Sequence, residues 1–421
     1  MRRADVPLAI ALLTICNLFS VLDRTILNLL VDPIRRSLNL SDLQISFIQG
    51  PAFGILFVVA TIPFGRLADV GTRKTLIAGA VAAWSLCTAA TGMASNFLIL
   101  TMTRAGVGAG ESALIPAAHS MLANLVERGR LGRTISLFTM GGTAGIGFAM
   151  LGGGALVAAL GTQGIAVPLA GMLQPWQIIF FTMGAMGLVL SLVVSLFVSE
   201  PPRGAAERSM SFSAVLQQVW RERTFYVPVY VAYSALAALN YGFLGWVPTY
   251  FARNHHVAIS SVGLMLGMIF LATNTLGPFA AGWLSDRLYA RYGSLGGVIV
   301  MRFFFALLIP AALLAFRLGD LGAAFGGCAA VALCIAALLT LGPVAIQTRA
   351  EPHMRGRLGA ILVLCAHLAG VTLGPVVVAA LPQLSFVSDL GAAISIHIIC
   401  FALIGLAASF AARPVLRVAM A

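Results

Sequence analysis

Charge is scarce in this 421-residue chain: Asp, Glu, Lys and Arg make up 10% of it, against about 25% in an ordinary soluble domain, while 60% is hydrophobic. A water-soluble globule is excluded. Lysine is scarcer still. The single Lys74 stands in Arg73-Lys74-Thr75, so there is no Gly-Lys-Ser/Thr phosphate loop, and an ATP-driven pump is excluded within this chain. Cys16, Cys87, Cys328, Cys334, Cys365 and Cys400 sit in apolar runs, none with the two-residue spacing of a zinc or redox motif, and read as reduced packing residues. His119, His367 and His397 show no ligand spacing of the HExxH kind, so neither a metal nor a cofactor is expected. A membrane-embedded enzyme or a receptor is the weakest reading, and the chain is expected not to be an enzyme. The net charge of +12 comes from basic residues scattered singly and in pairs between apolar stretches. That pattern reads as membrane topology and not as a nucleic-acid surface.

A bilayer-spanning helix takes roughly 20 mostly apolar residues. Runs of that kind fall at 7–31, 44–66, 75–94, 98–126, 133–160, 176–198, 225–251, 262–285, 296–318, 321–348, 358–381 and 390–412. Twelve spans are therefore expected, leaving only short loops. Arg2 and Arg3 ahead of the first run give it the outline of a signal peptide, but no small-residue cleavage site follows and the run continues through Asp23-Arg24. An uncleaved first span is expected. With a cytoplasmic N-terminus, Arg35, Arg36, Arg253 and Arg317 fall outside, and Arg24 and Arg104 fall within spans. The remaining basic residues, Arg2, Arg3, Arg128, Arg203, Arg208, Arg413 and Arg417 among them, fall inside, which places both termini in the cytoplasm. The excess of arginine over lysine suggests a GC-rich bacterial genome, hence a multi-pass protein of the bacterial inner membrane.

The longest polar interruption divides the spans six and six: an N-terminal bundle (1–198), a cytoplasmic linker (199–223) and a C-terminal bundle (224–421). Within the linker Phe212, Val215, Leu216, Val219 and Trp220 recur at helical spacing, which predicts an amphipathic helix on the cytoplasmic membrane surface. The halves repeat weakly. Arg128-Gly-Arg-Leu-Gly132 recurs as Arg355-Gly-Arg-Leu-Gly359, and the stretch Gly65, Leu67, Asp69, Arg73, Lys74 is echoed by Gly282, Leu284, Asp286, Arg287 and Arg291. A duplicated six-helix unit is a known transporter plan.

Gly65-Arg-Leu-Ala-Asp69-Val-Gly71-Thr-Arg73-Lys74 resembles the cytoplasmic loop signature of the major facilitator superfamily. Physically, a Gly-bearing turn would let the Asp meet a helix N-terminus or a nearby Arg and so close the cytoplasmic side in one state. The candidate gate is Gly65, Asp69, Arg73 and Lys74 with Asp286 and Arg287. Arg104-x-Gly106-x-Gly108-x-Gly110-Glu111 in span four is similar to the same superfamily, and Gly141 to Gly154 in span five resembles its antiporter-associated glycine-rich helix. The usual proline is missing there, Phe148 standing at that register, whereas span eleven carries Gly374-Pro375. Glycines of this kind more often make close-packing surfaces.

Of the 14 acidic residues only Asp23 and Glu111 lie well within spans, and of the 26 basic ones only Arg24 and Arg104 do. Such groups are costly in a bilayer and mark functional sites by default. At about 1.5 Å per residue, Asp23 lies about 12 Å, Arg104 about 9 Å and Glu111 about 20 Å from the outer edge, so all four fit one cavity. Arg104 and Glu111 share a helix face but stand about 10 Å apart. Pairs across helices, Asp23 with Arg104 and Arg24 with Glu111, fit better. Asp23-Arg24, Arg104, Gly106, Gly108, Gly110-Glu111-Ser112-Ala113 and Pro116 together resemble the Spinster branch, the sphingolipid and lysolipid transporters. That resemblance implies proton coupling by Asp23 and Glu111, and a cavity and anionic head group held by Arg24 and Arg104. A proton-coupled, alternating-access transporter of an amphiphilic anion follows, with a small organic anion such as a sugar acid as the alternative. Symport and antiport both remain open. The expected partners are the bilayer, the anionic substrate and protons, without nucleic acid and as a monomer.

Overall fold

The computed structural model describes residues 5–161, 164–167, 171–202, 212–293, 295–351, 354–385 and 387–412. Arg2, Arg3, Arg203, Arg208, Arg413, Arg417 and the linker stretch 203–211 lie outside the described residues, as does the side chain of Arg128. The chain is helical almost throughout, because in hydrocarbon every backbone N–H and C=O must be paired within its own segment. The helices are α1 (Asp5–Leu29), α2 (Val31–Leu38), α3 (Asp42–Gln49), α4 (Pro51–Val70), α5 (Arg73–Thr91), α6 (Phe97–Glu111), α7 (Leu114–Leu125) and α8 (Arg128–Leu160). A small antiparallel hairpin follows, β1 (Ile165–Val167) and β2 (Gly171–Leu173), with Ile165 opposite Leu173. Then come α9 (Pro175–Phe197), α10 (Phe212–Arg221), α11 (Arg223–Asn254), α12 (Ile259–Tyr292), α13 (Leu295–Arg317), α14 (Leu321–Arg349), α15 (Arg355–Ala380) and α16 (Leu390–Ala411). Side-chain caps open several of them. Asn96 accepts from Ile99 N at 3.0 Å, Asp320 from Ala323 N at 2.7 Å and Asp389 from Ala392 N at 2.9 Å, satisfying donors a helix start would leave bare.

Among the described residues ten helical segments are long and apolar enough to cross a membrane. Two of the twelve sequence runs are not among them. Run 75–94 forms α5, a helix of 19 residues that opens on Arg73-Lys74 and is less apolar than the ten. Run 98–126 is broken into α6 and α7 at Ser112-Ala113, where the bonds from Ser112 N to Gly108 O and from Ala113 N to Gly110 O stretch to 3.3 and 3.4 Å. Pro116, in the first turn of α7, fits the break: it has no N–H for the carbonyl of Ser112 and its ring crowds that carbonyl.

The chain divides into two compact units, one of Met1–Ala206 with Pro248–Leu271, the other of Glu207–Val247 with Ala272–Ala421. In the first, α1 packs along α8, α5 along α9, and α6 against α4 and α5. Glycine at 108 sets the α4–α6 distance, since a Cβ there would overlap the Phe53 carbonyl. Gly108→Ala is expected to destabilise by about 1–3 kcal/mol through overpacking. Gly152→Ala, with open space around that Cβ, is expected to be neutral when both are unfolded thermally in detergent.

In the second unit α13 packs against α14 and α16. Arg302, seven residues into α13, donates to Ser409 O near the end of α16 at 2.9 Å and lies 4.5 Å over the Phe410 ring. It thereby serves a carbonyl that the helix end cannot pair itself. Trp246 Nε1 donates to Pro375 O at 3.0 Å. The linker helix α10 is docked rather than free: Val215 is buried with Phe225, Tyr226 and Leu358, and Glu222 just after it meets Arg349 at 2.7 Å. Leu216 and Trp220 remain exposed.

Candidate functional site

Asp23 and Arg24 are neighbours on α1, so at about 100° per residue they point in different directions. Arg24 reaches Glu111: Nη2 donates to Oε2 at 2.9 Å, and Ser20 Oγ donates to the same oxygen at 2.8 Å. The guanidinium also lies 4.6 Å from the Phe53 ring centroid and 5.7 Å from that of Phe57, both on α4, a favourable cation–π arrangement. Asp23 turns the other way, where its Oδ2 accepts from Thr88 of α5 and Oδ1 lies 3.9 Å from Arg104 Nη1. The four charges thus stand as two separate pairs within the first unit. Asp23, Arg104 and Glu111 are buried and Arg24 is nearly so, with 17% of its side chain exposed.

Arg104 and Glu111, seven residues apart on α6, share a helix face about 10 Å apart along it, and each is met by a different residue of α1, Arg104 by Asp23 and Glu111 by Arg24. The site is incompletely bonded. Asp23 Oδ1, Glu111 Oε1, and Nε and Nη1 of Arg104 are buried without a hydrogen-bond partner among the described residues. Sequence reading missed Ser20, Thr88, Phe53 and Phe57. Ser20 was within reach, lying four residues before Arg24 on the same face; a threonine in an alanine-rich span carries no such signal.

The loop motif joins α4 to α5. Gly65 lies inside α4, and the turn falls at Gly71, where a Cβ would stand 2.9 Å from Leu67 O. The carboxylate at the N-terminus of α5 belongs to Glu200: Oε1 accepts from Arg73 Nε at 2.7 Å and Oε2 from Lys74 N at 2.8 Å. Arg73 is buried and donates further to Ser120 O at 3.0 Å and Pro201 O at 2.8 Å. Asp69 is exposed in the last turn of α4. Asp286 and Arg287 lie within α12, where Arg287 stacks on Trp283 at 3.9 Å. At the other end of the first unit Arg253 binds two carboxylates at once, Asp32 Oδ1 at 2.7 and 2.9 Å and both oxygens of Asp42 at 2.7 and 2.9 Å.

Residues 13–375 match the family described as the Major Facilitator Superfamily. The chain belongs to that superfamily. It is accordingly a multi-pass membrane transporter with the superfamily's all-helical fold, not an enzyme. An "MFS-type efflux pump" of Mycolicibacterium smegmatis (strain ATCC 700084 / mc(2)155) is 28% identical over 391 residues, covering 91% of this chain and 86% of that one. Human "Protein spinster homolog 1" is also 28% identical, over 67% of this chain; the matched region spans about half of that relative, 54%. The fold is similar to a solved bacterial homolog of the human lysosomal transporter Spinster, with a TM-score of 0.82 at 22% identity over 97% of this chain and 98% of that one. The resemblance to the Spinster branch drawn from the span-one and span-four residues is met by the human relative; the solved structure shares the fold.

Proposed function

We propose that the chain is a proton-coupled secondary transporter of an amphiphilic anion, of the lysolipid or sphingosine-phosphate kind, working by alternating access in a bacterial inner membrane. One observation carries the reading: two carboxylates and two guanidiniums, buried among apolar helices, are paired yet keep unbonded polar atoms. Fully ionised, the cluster is neutral. A proton taken up at Glu111 Oε1 or Asp23 Oδ1 leaves one positive charge in excess, and an anionic head group on the open N–H groups of Arg104 compensates it. Asp23 and Glu111 carry the proton, and Arg24 and Arg104 hold the substrate. Gly65, Asp69, Arg73, Lys74, Asp286 and Arg287 form the cytoplasmic gate, with Glu200 as the anchor of Arg73. Two six-helix halves, 1–198 and 224–421, joined by the linker 199–223 and with both termini cytoplasmic, complete the reading.

The test is transport of labelled lysolipid and sphingosine phosphate by liposomes with an imposed pH gradient. Movement that follows the gradient, and that lysolipid but not sugar acids competes away, is the expected result. Competition by sugar acids alone would replace the amphiphile with a small organic anion. Arg104→Ala is expected to lose anionic substrates selectively while binding neutral analogues normally; unchanged affinity for the anions would remove Arg104 from the head-group site.

A further inference from the structure

A cavity of about 570 Å³ lies in the first unit beside the Asp32–Arg253–Asp42 cluster, lined by α2, the end of α8, the start of α9 and residues 252–259. None of Asp23, Arg24, Arg104 or Glu111 lines it. Its size is that of a small-molecule site, and its lining carries one uncompensated charge. Asp32 lines it too, but the two carboxylates of the neighbouring cluster are matched by two guanidiniums, Arg253 in direct contact and Arg35 at 3.7 Å from each. Arg36 faces the cavity exposed, with no ion pair or hydrogen bond among the described residues. Independently, Trp176, in the first turn of α9, lines the cavity while 98% buried, and its indole Nε1 has no acceptor. A buried donor without a partner calls for one. Leu30, Val157 and Ile259 supply apolar lining.

We propose that this cavity binds a phosphate-bearing amphiphile, its anion held by Arg36 and the indole N–H of Trp176 and its short apolar part lying along Leu30, Val157 and Ile259. The bound molecule would bridge α2 and α9 to residues 252–259, a second site separate from the transport cluster. The lining selects for negative charge because Arg36 is the charge left over, and for an alkyl group because the walls between the polar groups are aliphatic.

The test is calorimetric titration of the full chain, in phosphatidylcholine nanodiscs, with hexyl phosphate. Saturable binding is expected, weakened about tenfold or more by Arg36→Gln, weakened by Trp176→Phe, unchanged in Arg317→Gln, an exposed arginine outside both sites, and absent for hexanol. Two further arms identify the source. Displacement by inorganic phosphate supports a free phosphate ligand, whereas suppression by added phosphatidylglycerol, in wild type but not in Arg36→Gln, supports a lipid head group at the same site. Equal binding by Arg36→Gln, an equal loss in Arg317→Gln, or no saturable binding at all would overturn the proposal. Because Arg36 and Trp176 lie outside the transport cluster, loss of this binding with pH-driven transport retained, and the reverse, separate failure of this proposal from failure of the transport reading.

Discussion

Asp23→Asn and Glu111→Gln are each expected to abolish uphill, pH-gradient-driven accumulation while leaving the protein folded and able to exchange substrate down its gradient. Both replacements keep the shape and an acceptor oxygen, so Thr88 can still donate to residue 23, and Ser20 and Arg24 to residue 111. What disappears is the ability to gain and lose a proton. Each variant carries the charge of the protonated cluster permanently, one positive charge in excess, so binding of an anion no longer depends on proton uptake. The measurement is uptake into liposomes with and without an imposed gradient, beside counterflow exchange at equal pH. Undiminished uphill transport in both variants would remove proton coupling from these carboxylates.

Arg24→Ala is expected to destabilise the fold by about 3–5 kcal/mol, the range for removing one partner of a buried ion pair, toward the lower end because Arg24 is partly exposed. The asymmetry between the partners is physical. Losing the carboxylate leaves Arg24 with the Phe53 ring and an exposed edge, whereas losing the guanidinium leaves Glu111 fully buried without its counter-charge, with Ser20 donating to it, so that it stays there only by taking up a proton. The double replacement Arg24→Met with Glu111→Met is expected to recover most of the stability, since an apolar pair of similar volume replaces a buried ionic one at little net loss. Detergent-solubilised unfolding of the single and double variants measures this; a double variant as unstable as Arg24→Ala would mean that packing, not charge, dominates at the site.

Much of this was legible beforehand. Sixty per cent hydrophobic residues in runs of spanning length allow few outcomes other than membrane helices, because backbone groups in lipid must pair locally. The rarity of charge within those runs singled out Asp23, Arg24, Arg104 and Glu111 but passed over Arg302, which lies as far into its run as Arg104 does, and a rise and rotation per residue fixed by the helix gave their spacing and faces. The loop motif and the glycine-rich α6 and α8 resembled the superfamily to which the chain belongs. The tertiary structure decided the rest. Glu200, 127 residues from Arg73, is its carboxylate; Thr88 and Phe53 complete the charge cluster from helices that carry no local signal; Arg253 joins Asp32 and Asp42 from more than 200 residues away. The turn of the loop motif falls at Gly71, and the run 98–126 is built as two helices that meet at Ser112-Ala113. The sequence by itself determined which residues share a face and how far apart they lie along a helix, since those follow from short-range helical geometry. Which helix stands opposite that face is set by long-range packing of side chains from distant segments, and a linear periodicity carries no record of it.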